Sequence, residues 1–277
     1  MDLPQNPFKR ALQAASVPVG TWHTLGSTAV VEALGHAGFD FLVLDMEHGQ
    51  IDLPQTVELL RVMAGTRAAP VVRLPWNDMV AVKRVLDAGA QTVMLPFIQN
   101  ADEARAAVAY TRYPPEGVRG VASIYRGGGY GLIPDYCQHA AGELCVILQI
   151  ETLEALEQLE EIAAVPGVDS IFIGPADLSA SMGYLGHADH PAVREKLALG
   201  ARECRRLGKP CGIIGFSTEA AVDYLSYGYS WIAVSTDVTM MLRCAAQTLA
   251  TVRASAAPSA NTGARDDRSA PHQHRSG

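Results

Sequence analysis

The sequence predicts an α/β fold of the (β/α)8 TIM-barrel type, and three observations predict it. Apolar runs of strand length recur eight times, helical patterns separate most of them, and several runs stop abruptly at polar side chains. Strands buried on both faces that alternate with helices imply a parallel sheet with crossover connections. Eight such units in about 250 residues match a barrel whose chemistry sits at the C-terminal ends of its strands. No GxGxxG follows the first run, which weighs against a doubly wound open sheet.

In chain order, residues 5–16 read as a short leading helix. The strand-like runs are 19–23, 41–45 (FLVLD), 70–74 (PVVRL), 92–97 (TVMLPF), 145–151 (CVILQIE), 170–175 (SIFIGP), 211–215 (CGIIG) and 231–236 (WIAVST). Helical patterns cover 27–37, 54–64, 78–88, 101–112, 152–163, 191–207 and 218–227. Residues 113–135 break the plan with a Gly/Pro-rich excursion, the usual composition of a functional loop or lid. Residues 1–253 are expected to form one barrel domain. The apolar periodicity ends there, and 254–277 are expected to be a disordered tail.

Bulk properties narrow the function. Charged residues are 18% and hydrophobic residues 48% of the 277, which is enough apolar material for a large core. A net charge of −7 argues against nucleic-acid or anionic-membrane partners. No apolar run is long enough to span a bilayer, and MDLPQNPFKRALQAAS lacks the basic-then-apolar plan of a secretory signal, so the cytoplasm is the expected location. The five cysteines form no CxxC pair and read as structural.

The polar strand ends carry the chemistry. Gln149 and Glu151 fall on the same side of a period-2 strand, and Asp177 follows the next run after a turn. Either carboxylate alone would serve as a helix cap. Together, with no cysteine beside them, they make a hard-oxygen site for a divalent cation of the magnesium or manganese kind. Trp22 and His23 end the first run, and Asp45, Glu47 and His48 cluster at the end of the second. His48 is the candidate general base, a role that calls for an orienting carboxylate, and Asp87 is one candidate. Arg73, a lone charge in VVRLP, suits a carboxylate or developing oxyanion better than the snorkelling a surface arginine would do. The turn at Gly174-Pro-Ala leads into a helix whose free N–H groups would face the mouth. All four lysines (Lys9, Lys83, Lys196, Lys209) fall on helices or before a strand, so no Schiff-base lysine is expected, nor a nucleotide cofactor.

GFDFLVLDMEHG, VVRLPWND, LDAGAQTVMLPFIQNADEARAAV, TRYPPEGVRG, QIET and GPADLSASMGY together resemble the metal-dependent pyruvate aldolases of the HpcH/HpaI type over roughly residues 5–250. The likeness is greatest to members that cleave 4-hydroxy-2-oxoheptanedioate to pyruvate and succinic semialdehyde. Sugar-acid aldolases of the same family are the alternative. The resemblance implies a (β/α)8 barrel assembled as a homo-oligomer, trimer or hexamer, with a 2-oxo acid and an aldehyde as its small-molecule partners. It also implies a divalent metal (magnesium, manganese or cobalt) held by Glu151 and Asp177, with Asp45 near metal-bound water. Arg73 would stabilise the enolate, with His48 as base and Asp87 raising its basicity. Gln149 and Ala176 would contact the bound 2-oxo acid, and Trp22, Gly174, Asp177 and Arg126 complete the expected substrate side. The chain departs from the heptanedioate pattern in ASIYRGGGYG and GIIGFSTEA. A citrate-lyase-like activity on an acyl-CoA ester would need a basic rim that this acidic chain does not advertise.

Overall fold

The computed structural model describes residues 1–14 and 16–256. From Met1 to Met240 it is built on a closed, all-parallel barrel whose eight strands neighbour one another in sequence order. The elements are α1 (Pro7–Leu12), β1 (Val19–His23), α2 (Thr28–His36), β2 (Phe41–Asp45), α3 (Leu53–Met63), β3 (Ala69–Arg73), α4 (Met79–Asp87), β4 (Thr92–Leu95) and α5 (Ala101–Thr111). A 3-10 turn (Arg126–Gly131) and α6 (Tyr136–Glu143) precede β5 (Cys145–Ile150), α7 (Leu153–Glu157), α8 (Leu159–Ala163), β6 (Ser170–Ile173) and α9 (Pro175–Ser181). Then come α10 (Pro191–Arg206), β7 (Cys211–Gly215), α11 (Thr218–Tyr227), β8 (Trp231–Thr236) and α12 (Asp237–Ala256). Among the described residues no helix is long and apolar enough to cross a membrane.

Local chemistry sets where the helices start. Ser27, Asp52, Asp78, Asn100, Thr152 and Ser217 each accept a hydrogen bond from a backbone N–H three residues on, which caps α2, α3, α4, α5, α7 and α11. Helices therefore begin at the strands' C-terminal end and finish beside the start of the next strand.

The strands sort their side chains into two apolar layers. One, between sheet and helices, gathers Leu42, Leu44, Val72, Leu148, Ile171, Ile213 and their neighbours. The other fills the barrel with Trp22, Phe41, Val43, Ala69, Val71, Met94, Cys145, Ile147, Phe172, Ile214, Trp231 and Ala233. Phe8 of α1 closes the N-terminal end, its ring edge-on to Phe41 at 5.1 Å and to Trp231 at 5.4 Å. Gly212 makes room for this stack, since a Cβ there would lie 2.0 Å from the Trp231 ring. Gly212→Ala should destabilise the fold by about 1–3 kcal/mol, the usual range for overpacking. Thermal unfolding followed by circular dichroism checks this, and an unchanged midpoint would mean that the ring has room to move.

Three expectations change. The excursion at 113–135 is no lid over the strands' C-terminal ends. It joins the end of α5 to the start of β5 and so lies at the opposite end, where Arg126 donates to Ala88 O and Leu60 O, at and near the C-termini of α4 and α3. A cation at helix C-termini is favourably placed. The leading helix is shorter than expected, Pro7–Leu12. Finally, α12 runs to Ala256, so 254–256 are helical, while 257–277 of the expected tail lie outside the described residues.

Candidate active site

Inward-facing positions alternate along each strand, and their last members are polar. On β5 the series Cys145, Ile147 continues to Gln149 and then Glu151 just past the strand. On β2 and β3 it ends at Asp45 and Arg73, which stand opposite each other in the register. Asp45, Arg73 and Gln149 line a cavity of about 210 Å³ at the C-terminal end of the barrel. Asp45, His48 and Arg73 line one side, and Gln149 and Gly174–Asp177 line another. Trp22, Thr24, Ile214, Phe216 and Thr236, from the ends of β7, β8 and β1, make the remaining wall.

Arg73 is held from three directions. Its Nε and Nη2 donate to Asp45 Oδ1 and Oδ2 at 2.9 and 2.6 Å, and Nη1 lies 2.8 Å from Glu47 Oε2. The Trp22 ring lies 5.2 Å from its Cζ, within cation–π range. Asp45 Oδ1 also accepts from the backbone N–H groups of Glu47 and His48, which fixes the turn that carries His48 to the cavity. Two carboxylates in a bidentate and a lateral contact leave this guanidinium little freedom.

Glu151 is buried, accepts from Gln149 Nε2, and sits against Gly174, where a Cβ would stand 3.1 Å from its carboxylate. Burial, opposed by the Gln149 bond and by Arg73 but reinforced by Glu47 and Asp177, pushes Glu151 up to about 7. Glu47 also rises to about 7, through burial first, with Arg73 opposing and Asp45 and Asp177 adding to it. Asp45, Glu47, Glu151 and Asp177 therefore crowd around one arginine, Asp45 and Glu151 buried, Glu47 partly buried and Asp177 exposed. Gln149 Oε1 is buried there without a partner.

That donor set fits a hard dication. No group of three or more His, Cys, Asp or Glu side chains is gathered for a metal among the described residues. Magnesium-type sites commonly use one or two carboxylates, with substrate and water oxygens completing the shell. Asp177 lies near enough to Glu151 to raise its carboxyl further, and a cation between such groups would relieve that crowding.

The cavity brings together Trp22, Asp45, His48, Arg73, Gln149, Gly174, Ala176 and Asp177, with Glu151 packed behind Gly174. It does not gather Asp87 or Arg126. Asp87 ends α4, so topology carries it to the start of β4, where it pairs with buried Arg119 at 2.7 Å. Nothing on its own chain links it to His48. Lys9 and Lys209 donate to Leu144 O and Val168 O, near the starts of β5 and β6. Glu47 received no role from the sequence, although it lies two residues past Asp45, the spacing at which strand-like backbone would return a side chain to the same face.

Comparison with known proteins agrees with this geometry. A family model described as HpcH/HpaI aldolase/citrate lyase matches residues 19–244. A hydroxypyruvate/pyruvate aldolase of Sagittula stellata is 45% identical over 241 residues, 87% of this chain and 95% of the relative. A 2-dehydro-3,6-dideoxy-6-sulfogluconate aldolase of Pseudomonas putida is 44% identical over 249 residues, covering 90% and 98%. A 4-hydroxy-2-oxo-heptane-1,7-dioate aldolase of Escherichia coli is 44% identical over 242 residues, covering 87% and 92%. Fold, cavity and similarity across nearly the whole barrel lead to one conclusion: the chain belongs to the HpcH/HpaI aldolase/citrate lyase family.

Proposed function

We propose that the protein is a divalent-metal-dependent aldolase that reversibly cleaves a 4-hydroxy-2-oxo acid to pyruvate and an aldehyde. The observation that carries this is a small cavity lined by a clamped arginine, a histidine and Asp177, with the Glu151 carboxylate packed directly behind its Gly174 wall. A dication held by Glu151 and Asp177 would supply Lewis acidity for the 2-oxo acid. His48 takes the C4 hydroxyl proton, directly or through one water, as C4–O becomes a carbonyl and the C3–C4 bond breaks. The electron pair moves towards C2, and the clamped Arg73 stabilises the developing oxyanion. Protonation at C3 then gives pyruvate, with Gln149 and the chain at Ala176 holding its carboxylate end.

His48→Ala is expected to lower cleavage by roughly 10²- to 10⁴-fold, the usual worth of a positioned acid–base group. Pyruvate release coupled to lactate dehydrogenase measures it, and undiminished turnover would remove His48 from the mechanism. Incubation with magnesium, pyruvate and a panel of aldehydes tests the whole reading, because a protein that only binds 2-oxo acids yields no adduct.

The panel must include both substrate types. A heptanedioate substrate ends in a second carboxylate, yet among the described residues Arg73 is the sole arginine or lysine lining the cavity, and Asp45 and Glu47 already engage it. A sugar-acid substrate ends in a hydroxylated fragment, which suits the Thr24 and Thr236 wall better. This favours the sugar-acid type.

We also propose a homo-oligomer. Every described residue from Met241 to Ala256 is exposed, and Leu242, Leu249 and Val252 fall on one helical stripe. Light scattering should give a trimer or hexamer mass; a monomer at micromolar concentration would overturn this.

A further inference from the structure

His23 and Asp237 form a buried pair that the chemistry above does not use. Both side chains are fully buried, with His23 Nδ1 2.8 Å from Asp237 Oδ2. Among the described residues neither ring nitrogen has a well-directed hydrogen bond: Nδ1 meets Asp237 only as a close ion-pair contact, and Nε2 meets no partner. An apolar side chain would fill that space without leaving a buried ring nitrogen unsatisfied, so the histidine calls for an explanation other than packing.

What Asp237 holds supplies one. Its carboxylate accepts from Thr24 N at 3.1 and 3.2 Å, from Thr24 Oγ1 at 2.8 Å, from Leu25 N at 3.1 Å and from Val238 N at 2.8 Å. One carboxylate at the end of β8 thus fastens the chain as it leaves β1. Burial opposes ionisation, but the close approach of His23 Nδ1 and the bonds from Leu25 and Thr24 outweigh it and bring Asp237 down to about 2. A carboxylate can only accept, so the Thr24 hydroxyl must be the donor. Thr24 lines the cavity, on the wall away from Gln149 and Asp177. Its remaining capacity there is to accept. Thr236, beside it on that wall, already bonds Thr239 through its hydroxyl.

We propose that His23 and Asp237 are a positioning pair that turns the Thr24 hydroxyl proton away from the cavity, so that this wall selects aldehydes carrying a hydroxyl next to the carbonyl. The inference rests on the aldolase reading and narrows its substrate class. His23 acts on one oxygen of Asp237, Asp237 orients Thr24, and Thr24 accepts from the substrate hydroxyl.

The test uses the metal-loaded protein, pyruvate, and two acceptors of similar size, glycolaldehyde and propanal. Deuterium exchange at the pyruvate methyl group, measured without any aldehyde, reports the pyruvate half alone. The wild type should favour glycolaldehyde in kcat/KM, and Thr24→Val and His23→Leu should each cut that preference by about tenfold, the worth of one good hydrogen bond. Their exchange rates should fall much less than their glycolaldehyde rates. His23→Asn, which can place an amide N–H near the position of Nδ1, should retain most of the preference and covers the case in which the leucine variant does not fold. A preference unchanged within about twofold in Thr24→Val, or exchange and addition falling in parallel in His23→Leu, would overturn the proposal. Wild-type exchange with no preference for glycolaldehyde sinks the inference alone. No exchange in the wild type sinks the aldolase reading with it.

Discussion

Stripping divalent cations with EDTA should reduce pyruvate release by about a thousandfold or more, since Lewis-acid stabilisation of this kind is worth several kcal/mol. Magnesium, manganese or cobalt should restore it. The carboxyl groups give a second, independent readout. Glu47 and Glu151 sit near 7 in the metal-free protein, so a substantial fraction of each is protonated at neutral pH. A cation bound between Glu151 and Asp177 favours the ionised forms, and calorimetry in buffers of different ionisation enthalpy should therefore detect proton release on binding. The sign for stability follows from the same shifts. Both carboxyls are raised in the folded state, so their contribution to stability is complete below the ordinary carboxylate range and lost as pH rises towards 7. Metal-free protein should accordingly melt lower at pH 8 than at pH 5, and added cation should narrow the gap. Full activity after chelation, or a lysine imine trapped by borohydride with substrate, would refute a metal mechanism.

Arg73→Ala should be the most damaging single substitution, for two separable reasons. Loss of a preorganised donor at the oxyanion costs about 3–4 kcal/mol in the transition state, or two to three orders of magnitude in turnover. Removing the arginine also leaves buried Asp45 without its counter-ion, and breaking such a contact typically destabilises by about 3–5 kcal/mol. The double clamp therefore makes this variant less stable as well as less active. Arg73→Lys separates the effects. It keeps the charge but cannot reproduce the bidentate contact with Asp45, so it should recover much of the melting temperature and little of the turnover. Wild-type turnover in either variant would exclude Arg73 from the chemistry.

The barrel was legible because its strands are apolar on both faces and stop at polar residues, so FLVLD, CVILQI and SIFI could be placed nearly to the residue. Residues carried by inward-facing strand ends were legible for the same reason, and Asp45, Arg73, Gln149 and Glu151 all extend an alternation already visible in the chain. The roles expected of Asp87 and Arg126 came from likeness and not from position. Both stand where a helix ends or a strand is about to begin, and topology sends such residues away from the cavity. No helical pattern was read over α12 because DVTMMLRCAAQTLATVRASA mixes apolar and polar residues with no buried face to organise them. Asp237 escaped notice for a different reason. Its partners, His23 and Thr24, are more than two hundred residues away, and only closure of β8 against β1 brings them together.

The aromatic stopper at the foot of the barrel sets the direction in which a substrate can lengthen. Phe8, Phe41 and Trp231 pack edge to face there, so among the described residues the barrel's interior below the cavity is filled by rings and offers no room for a substrate to extend along the axis. Longer acceptor aldehydes should therefore be accommodated towards the open rim, not deeper in the barrel.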